Sequence, residues 1–281
     1  MKVAYMPGCS LDSTAQEYNM STLSVCKKLG VELEELYDWN CCGASSAHSL
    51  QEDLSILIPA RNVMQAQDMG LDLTTPCAAC FNRLKRSEVK LKDEGSLPGL
   101  SGEFKGETRV KTLIEVIEEN FPAEEREQLI VNSLNDLPVV TYYGCLMVRP
   151  SEIMEYHRDR ENPDSLDKIL SSLGADVRPW SYKTECCGGS LSLIQGEHLK
   201  TVVGELQEMA REAGARAIVT ACPLCQSNLE MRQPGDEKKK LPSFFFTELL
   251  GLALGLESDL STWWKKHLID PRPLLEESNL Y

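Results

Sequence analysis

Short apolar runs alternate with longer amphipathic stretches along the whole chain, and the alternation occurs twice. Val3-Ala4-Tyr5-Met6 is an apolar run stopped by Pro7-Gly8, which predicts a strand entering a turn. Ser13 or Thr14 stands where a helix cap belongs, ahead of a helix reaching Lys28 and ended by Gly30. Val31 to Leu36 is a second strand. Leu50 to Met69 has helical length and period, with Leu54, Leu57, Ile58, Val63, Met64 and Met69 as the expected buried stripe. Pro59 inside it predicts a kink or a later helix start. Leu71 to Thr75 is a third strand and Cys80 to Lys92 a helix with a basic outer face. Glu94 to Gly106 holds four glycines and a proline and reads as a loop. Val110 to Asn120 then gives a strand or turn and a helix, and the acidic stretch around Ala123 to Arg126 starts a linking helix.

The second half repeats this order. Pro138 to Tyr143 is a strand, Ser165 to Leu173 a helix ended by Gly174, and Ala175 to Arg178 an extended segment. Leu199 to Ala213 is a helix, Ala217 to Thr220 a strand, Leu224 to Met231 a helix, and Pro234 to Lys240 a polar loop. Phe244-Phe245-Phe246 followed by Thr247-Glu248-Leu249-Leu250 parallels the segment at Thr112. The period, roughly 140 residues, is far above solenoid repeats. The expected fold class is therefore α/β, with two parallel sheets and flanking helices. The expected division is a first domain over 1–122, a linker over 123–137 and a second domain over 138–281.

Composition adds limits. A chain of 281 residues with 42% hydrophobic and 26% charged residues is ordinary for a globular protein. A net charge of −14 argues against a nucleic-acid surface. The start of the chain lacks the apolar run of a signal peptide. The most apolar stretch, Phe244 to Leu256, is interrupted by Thr247 and Glu248 and reads as a core helix, not a membrane span. A cytoplasmic location is expected, and there eleven cysteines read as metal ligands or redox groups.

Ten of them fall into two sets of five. Cys9 follows a glycine; Cys41-Cys42-Gly43 comes next, then Cys77-Ala78-Ala79-Cys80. Cys145, Cys186-Cys187-Gly188 and Cys222-Pro223-Leu224-Cys225 repeat the set. From Cys42 to Cys77 and from Cys187 to Cys222 the step is 35 positions in both. The lone cysteines are 136 positions apart and the later elements 145, so about nine residues are inserted after Cys145, within Val148 to Pro163. Each set sits just after predicted strands, the end where ligands collect in open α/β sheets. A CxxC turn alone suits zinc, a redox dithiol or an iron–sulfur cluster. Five thiols are one more than a zinc site or an ordinary cubane needs. Cys26 has no counterpart and reads as structural, on an apolar face with Leu23 and Leu29. His48 follows the first pair and is a candidate proton shuttle. His157, His198 and His267 show no motif, and Lys183-Thr184 reads as surface loop.

Cys41-Cys42-Gly43 with Cys77-x-x-Cys80, and its repeat, resembles the cysteine-rich CCG domain, and specifically the HdrB-like family of heterodisulfide reductases. The segments Tyr5 to Ser10 and Asp38 to Ala44 carry the same likeness. The resemblance implies two pseudo-symmetric Rossmann-like CCG domains, each holding a noncubane [4Fe-4S] cluster. Cys9, Cys41, Cys42, Cys77 and Cys80 would bind one; Cys145, Cys186, Cys187, Cys222 and Cys225 the other. The implied activity is reduction of a disulfide to two thiols, or the reverse, one electron coming from each cluster. Coenzyme M–coenzyme B heterodisulfide, a related heterodisulfide or a protein disulfide would be the substrate. An HdrC-like ferredoxin-type subunit and an HdrA-like flavoprotein are the implied partners, since the chain has neither ferredoxin spacing nor a dinucleotide fingerprint. The alternative is an electron-relay subunit of a lactate-, glycolate- or quinone-linked oxidoreductase.

Overall fold

The computed structural model describes residues 1–44, 47–154, 159–192, 196–235 and 240–280, and only the backbone of 48, 49, 124, 127 and 257–259. The first half runs β1 (Lys2–Tyr5), α1 (Gly8–Leu11), α2 (Gln16–Lys28), β2 (Glu32–Glu35), α3 (Ala47–Leu50), α4 (Glu52–Asp68), β3 (Leu73–Thr75), α5 (Ala78–Glu94), β4 (Val110–Thr112) and α6 (Leu113–Asn120). Helix α7 (Ala123–Leu129) lies in the connection. The second half runs β5 (Pro138–Tyr142), a short 3-10 turn (Cys145–Met147), α8 (Ser165–Ser172), β6 (Asp176–Val177), a second 3-10 turn (Gly189–Leu191), α9 (Gly196–Glu212), β7 (Ala217–Thr220), α10 (Pro223–Met231), β8 (Ser243–Phe245) and α11 (Phe246–Ala253). Helices α12 (Glu257–Trp264) and α13 (Arg272–Glu277) close the described chain.

Two four-stranded parallel sheets result, in the orders β2-β1-β3-β4 and β6-β5-β7-β8. The orders match strand for strand, as an internal duplication requires. The central strands β1, β3, β5 and β7 are largely buried apolar runs, the pattern of a parallel sheet covered on both faces.

The register corrects one expected correspondence. Thr75 pairs with Thr112, and its counterpart Thr220 pairs with Phe245. Phe245, not Thr247, therefore stands where Thr112 stands. Thr112 caps α6 with a reciprocal box, its hydroxyl accepting from Glu115 N while the Glu115 carboxylate accepts from Thr112 N. In the second half only the carboxylate half remains, Glu248 accepting from Phe245 N at 2.8 Å. Thr247 lies inside α11, where its hydroxyl meets Ser21 of the first half at 2.7 Å.

Three local expectations also change. Helix α2 is preceded by Ala15, not capped by Ser13 or Thr14; Ser13 instead donates to the Cys9 carbonyl at 2.7 Å. Helix α4 runs through a buried Pro59, and of its expected stripe only Val63 and Met64 are buried. Ser55, Ala60, Asn62, Gln65 and Ala66 occupy much of the rest of the inner face. Cys26 is buried in the core, as a structural residue should be, but Leu23 beside it is 44% exposed.

The halves share one core. Tyr18 of α2 stacks on Phe245 with ring centroids 3.9 Å apart and donates to the Ala221 carbonyl. Helix α2 packs on α11 and α12, and the larger hydrophobic cluster runs from Tyr18 and Val116 through Val140 to Trp263. The packing is reciprocal: α5 of the first half lies on the 145–147 turn, and α10 of the second lies on α1.

A buried acidic group closes this seam. His267 is held between Glu230 (2.8 Å) and Glu248 (2.9 Å), and Glu17 of α2 lies within their field. Burial opposes charge on His267, but Glu248 and Glu230 outweigh it and raise its pKa well above the ordinary value. Burial first, then Glu248 and Glu230, raise the Glu17 carboxyl from 4.5 to about 7. An acid whose folded pKa is raised costs nothing below its unfolded value and destabilises as pH climbs through the folded one. Glu17→Gln is expected to gain stability on the native chain between pH 5 and pH 8, by up to ~3 kcal/mol. Urea denaturation of both proteins at the two pH values measures it; a constant difference would refute the assignment.

Candidate functional site

The ten cysteines collect at the carboxyl ends of the strands, where the halves meet. Cys9 leaves β1 on α1, and Cys145 leaves β5 on the 3-10 turn. Cys77 and Cys222 follow β3 and β7 and stand at the N-cap positions of α5 and α10; Cys80 and Cys225 lie one turn on. The adjacent pairs Cys41-Cys42 and Cys186-Cys187 lie in loops after β2 and β6.

Each half gathers its own five. In the first, Cys41 and Cys42 perturb each other, as do Cys42 and Cys80, and Cys80 and Cys77, and Cys9 lies in the field of Cys41. In the second, Cys145 and Cys186 perturb each other, as do Cys222 and Cys225, and the Cys187 and Cys225 sulfurs are 3.5 Å apart. The two sets approach each other at Cys77 and Cys222, buried thiols of opposite halves that each shift the other's pKa. Cys9, Cys41 and Cys186 are exposed, Cys145 is half-buried, and the other six are buried.

Glycines make room for these sulfurs. Gly144 has φ +68°, and a Cβ there would lie 3.0 Å from the Cys225 sulfur; Gly8, at φ +76°, has the same relation to Cys80 at 3.1 Å. Gly188 and Gly43 follow the pairs, and their N–H groups donate to the Cys186 and Cys41 sulfurs at 3.3 and 3.5 Å.

The coupled thiols are split: neighbouring thiols and burial push Cys41, Cys77, Cys80, Cys145 and Cys225 up, while Cys42, Cys186 and Cys222 are held toward thiolate, the form that ligates metals. Cys42 is held far below the usual thiol range by hydrogen bonds from Cys41 and Cys80, with help from Ala44 N–H and Arg83. Cys222 is lowered by Cys225 and Cys77, then by N–H groups at the start of α10. Cys186 is lowered by Cys145, then by Gly188 N–H and Arg149. Cys26, with burial alone acting on it, is pushed up to about 12.

The loop carrying the first pair is tied to α4 by the polar residues on that helix's inner face. Asn62 is fully buried; its amide accepts from Asn40 N at 3.0 Å and donates to Asn40 O at 2.8 Å. Gln65 donates to Asp38 O, and Arg61 reaches both Asp38 and the Asn40 side chain. In the second half, Lys183 and Thr184 are buried, contrary to the expected surface loop. Lys183 pairs with Asp167 at 2.6 Å and donates to Pro163 O, and its own carbonyl accepts from Tyr143 N and Gly144 N. Asp167 in turn accepts from Thr141 and Tyr143. A lysine before a cysteine pair and an aspartate on a distant helix give no sequence signal of this pairing.

Helix α3 contains His48, but its imidazole lies outside the described residues, as do His157 and residues 236–239 of the polar loop. His198 is exposed on α9, and His267 belongs to the seam described above. Among the described residues no three Cys, His, Asp or Glu side chains converge on a single-ion site.

Comparison with known proteins agrees with the duplication. The cysteine-rich domain profile, CCG, matches residues 3–85 and again 139–230. The chain belongs to the cysteine-rich CCG domain family and carries two copies of the domain. It is 30% identical over 266 residues to the 8-methylmenaquinol:fumarate reductase membrane anchor subunit of Wolinella succinogenes, covering 90% of this chain and 92% of that one. It is 26% identical to the HdrB polypeptide of the ferredoxin/F(420)H(2)-dependent CoB-CoM heterodisulfide reductase of Methanosarcina acetivorans, covering 92% and 91%. Among solved structures, a hypothetical protein from Helicobacter pylori superposes with a TM-score of 0.70 at 11% identity. That match covers 96% of this chain, which spans about half (52%) of the longer protein, and it bears on the fold. Among the described residues no helix is long and apolar enough to cross a membrane.

Two substitutions test how the thiols are positioned. Asn62→Ala removes both bonds to Asn40 and is expected to cost about 2–3 kcal/mol. Gly144→Ala is expected to cost ~1–3 kcal/mol, because alanine is strained at this φ and crowds Cys225. Urea denaturation of the reduced chain measures both; losses below ~0.5 kcal/mol would contradict the geometry.

Proposed function

We propose that the chain is the iron–sulfur catalytic subunit of a heterodisulfide reductase-type complex, with one noncubane [4Fe-4S] cluster in each half. Residues 1–122 and 138–281 are the two cluster-bearing domains and 123–137 the linker. Cys9, Cys41, Cys42, Cys77 and Cys80 hold the first cluster; Cys145, Cys186, Cys187, Cys222 and Cys225 hold the second. The observation that carries the reading is the pair of five-thiol sets meeting at Cys77 and Cys222.

The residues present suit such a group. Five soft sulfur donors per half exceed the four that a structural metal ion takes, and thiolate is the donor that iron–sulfur clusters use. Thr75 and Thr220, two residues before Cys77 and Cys222, bury hydroxyls with no partner among the described residues. Sulfide is an acceptor that the polypeptide does not supply.

The reaction is RS–SR′ + 2e⁻ + 2H⁺ → RSH + R′SH, or its reverse. When bound, such clusters would supply electrons one at a time, and the two half-sites held by the duplicated thiols match a two-electron bond cleavage. The chain's own part is to hold ten thiolates, keep six of them from solvent, and leave Cys9, Cys41 and Cys186 at the open face. Electrons come from a separate protein, here an HdrC-like ferredoxin-type subunit fed by an HdrA-like flavoprotein. The complex belongs in the cytoplasm, with any membrane association through its partners.

A second reading is an electron-relay subunit of a quinone-linked oxidoreductase. The 30% identity to a subunit named for a menaquinol:fumarate reductase favours it. Thiol binding separates the two. Oxidised protein is incubated with coenzyme M, coenzyme B and a protein dithiol, and its EPR spectrum recorded. The catalytic reading predicts a new or shifted cluster signal with at least one thiol. A spectrum unchanged by every thiol would sink it and leave the relay.

A further inference from the structure

The halves agree in fold and in cysteine positions, and they disagree in charge. Aligning Cys77 with Cys222 and Cys80 with Cys225 puts Arg83 of α5 opposite Asn228 of α10, and Arg86 opposite Met231. Aligning Cys41 with Cys186 puts Asn40 opposite Glu185.

The contrasted residues act on the thiols. Arg83 stands on α5 one turn after Cys80, on the same face, lies in the field of Cys42, and has no carboxylate partner among the described residues. Asn228 is buried and neutral, donating to Cys187 O at 2.9 Å and accepting from Ser192 at 2.7 Å. Asn40 is spent on Arg61, the Cys41 carbonyl and the Ile58 carbonyl. Glu185 acts on Cys186 as a like charge.

The other nearby charges do not reverse the difference. Arg149 favours the Cys186 thiolate but is paired with Glu161 at 2.7 Å. Lys85 of α5 is paired with Glu88, and its counterpart Glu230 is engaged by His267. Asp38 with Arg61, and Lys183 with Asp167, are balanced pairs. Among the described residues the first half is thus the more positive, by an arginine without a carboxylate partner and a missing carboxylate.

We propose that the two half-sites are electronically unequal, the cluster held by the first half being the easier to reduce because Arg83 and Asn40 stand where the second half has Asn228 and Glu185. This rests on the cluster-bearing reading above. Adding an electron makes a cluster more negative, and a nearby positive charge stabilises that state most where solvent is excluded. The first electron delivered from a one-electron donor therefore rests in the first half. Arg83 acts through the field and is a positioning residue.

The test is an anaerobic redox titration with dithionite, followed by EPR, on the full chain after iron and acid-labile sulfide have been measured. Signals are assigned to halves with Cys42→Ala and Cys187→Ala. The native protein is expected to show two midpoints, the first-half one higher. Arg83→Asn, which installs the second half's residue, should move that midpoint negative and leave the other in place; Arg83→Lys should restore most of the shift. Glu185→Asn, at an exposed position, should move the second-half midpoint positive, less so at high salt. Midpoints in the opposite order, or a first-half midpoint indifferent to Arg83→Asn, would overturn the inference while leaving the cluster assignment intact. A protein with no iron–sulfur centres would overturn both.

Discussion

The approach of Cys77 to Cys222, each shifting the other's pKa across the seam, is the constraint on which the rest depends. Two buried thiols from different halves meet there, each at the N-cap of a helix that also carries a second cysteine one turn on. The surroundings gather ten sulfurs at the strand ends of two sheets. Helix N-termini and backbone N–H groups favour thiolate at chosen positions. Glycines at φ > 0 let the lone-cysteine turns approach the CxxC sulfurs. Reciprocal packing of α5 and α10 on the opposite half's lone-cysteine turn fixes both sets relative to each other.

Much of this was legible in the sequence. Strands β1, β5 and β7 follow from short apolar runs, and the matched step from Cys42 to Cys77 and from Cys187 to Cys222 shows that one sheet plan is used twice. Sheet order, parallel pairing and the placement of cysteines at strand ends all agree with that pattern. Periodicity carried less far where polar side chains hold the site. Helix α4 turns Asn62 and Gln65 inward to bind the loop at Asn40, so its apolar stripe does not mark its buried face. The pairing of Lys183 with Asp167, and of His267 with Glu230 and Glu248, joins residues 16 to 37 positions apart with no motif between them. The displacement of Phe245 into the place of Thr112 follows from strand register, which spacing alone does not fix.

Duplication gives the site its symmetry, and the departures from symmetry give it direction. The seam is an example: α2 of the first half covers α11 and α12 of the second and brings Glu17 into a buried acid–histidine group without a first-half counterpart. The charge contrast between Arg83 and Asn228 is another, and it bears on the thiols themselves. Neither disturbs the backbone plan, so both are compatible with a common ancestral half.

The central claim is that each set of five cysteines holds its own iron–sulfur cluster. Iron and acid-labile sulfide counted in anaerobically purified protein, native and with Cys80→Ala or Cys225→Ala, test it most directly. The account predicts iron and sulfide in near-equal amounts in the native chain, and loss of about half of each in either variant. Iron without sulfide, or loss of the whole complement from one substitution, would contradict it.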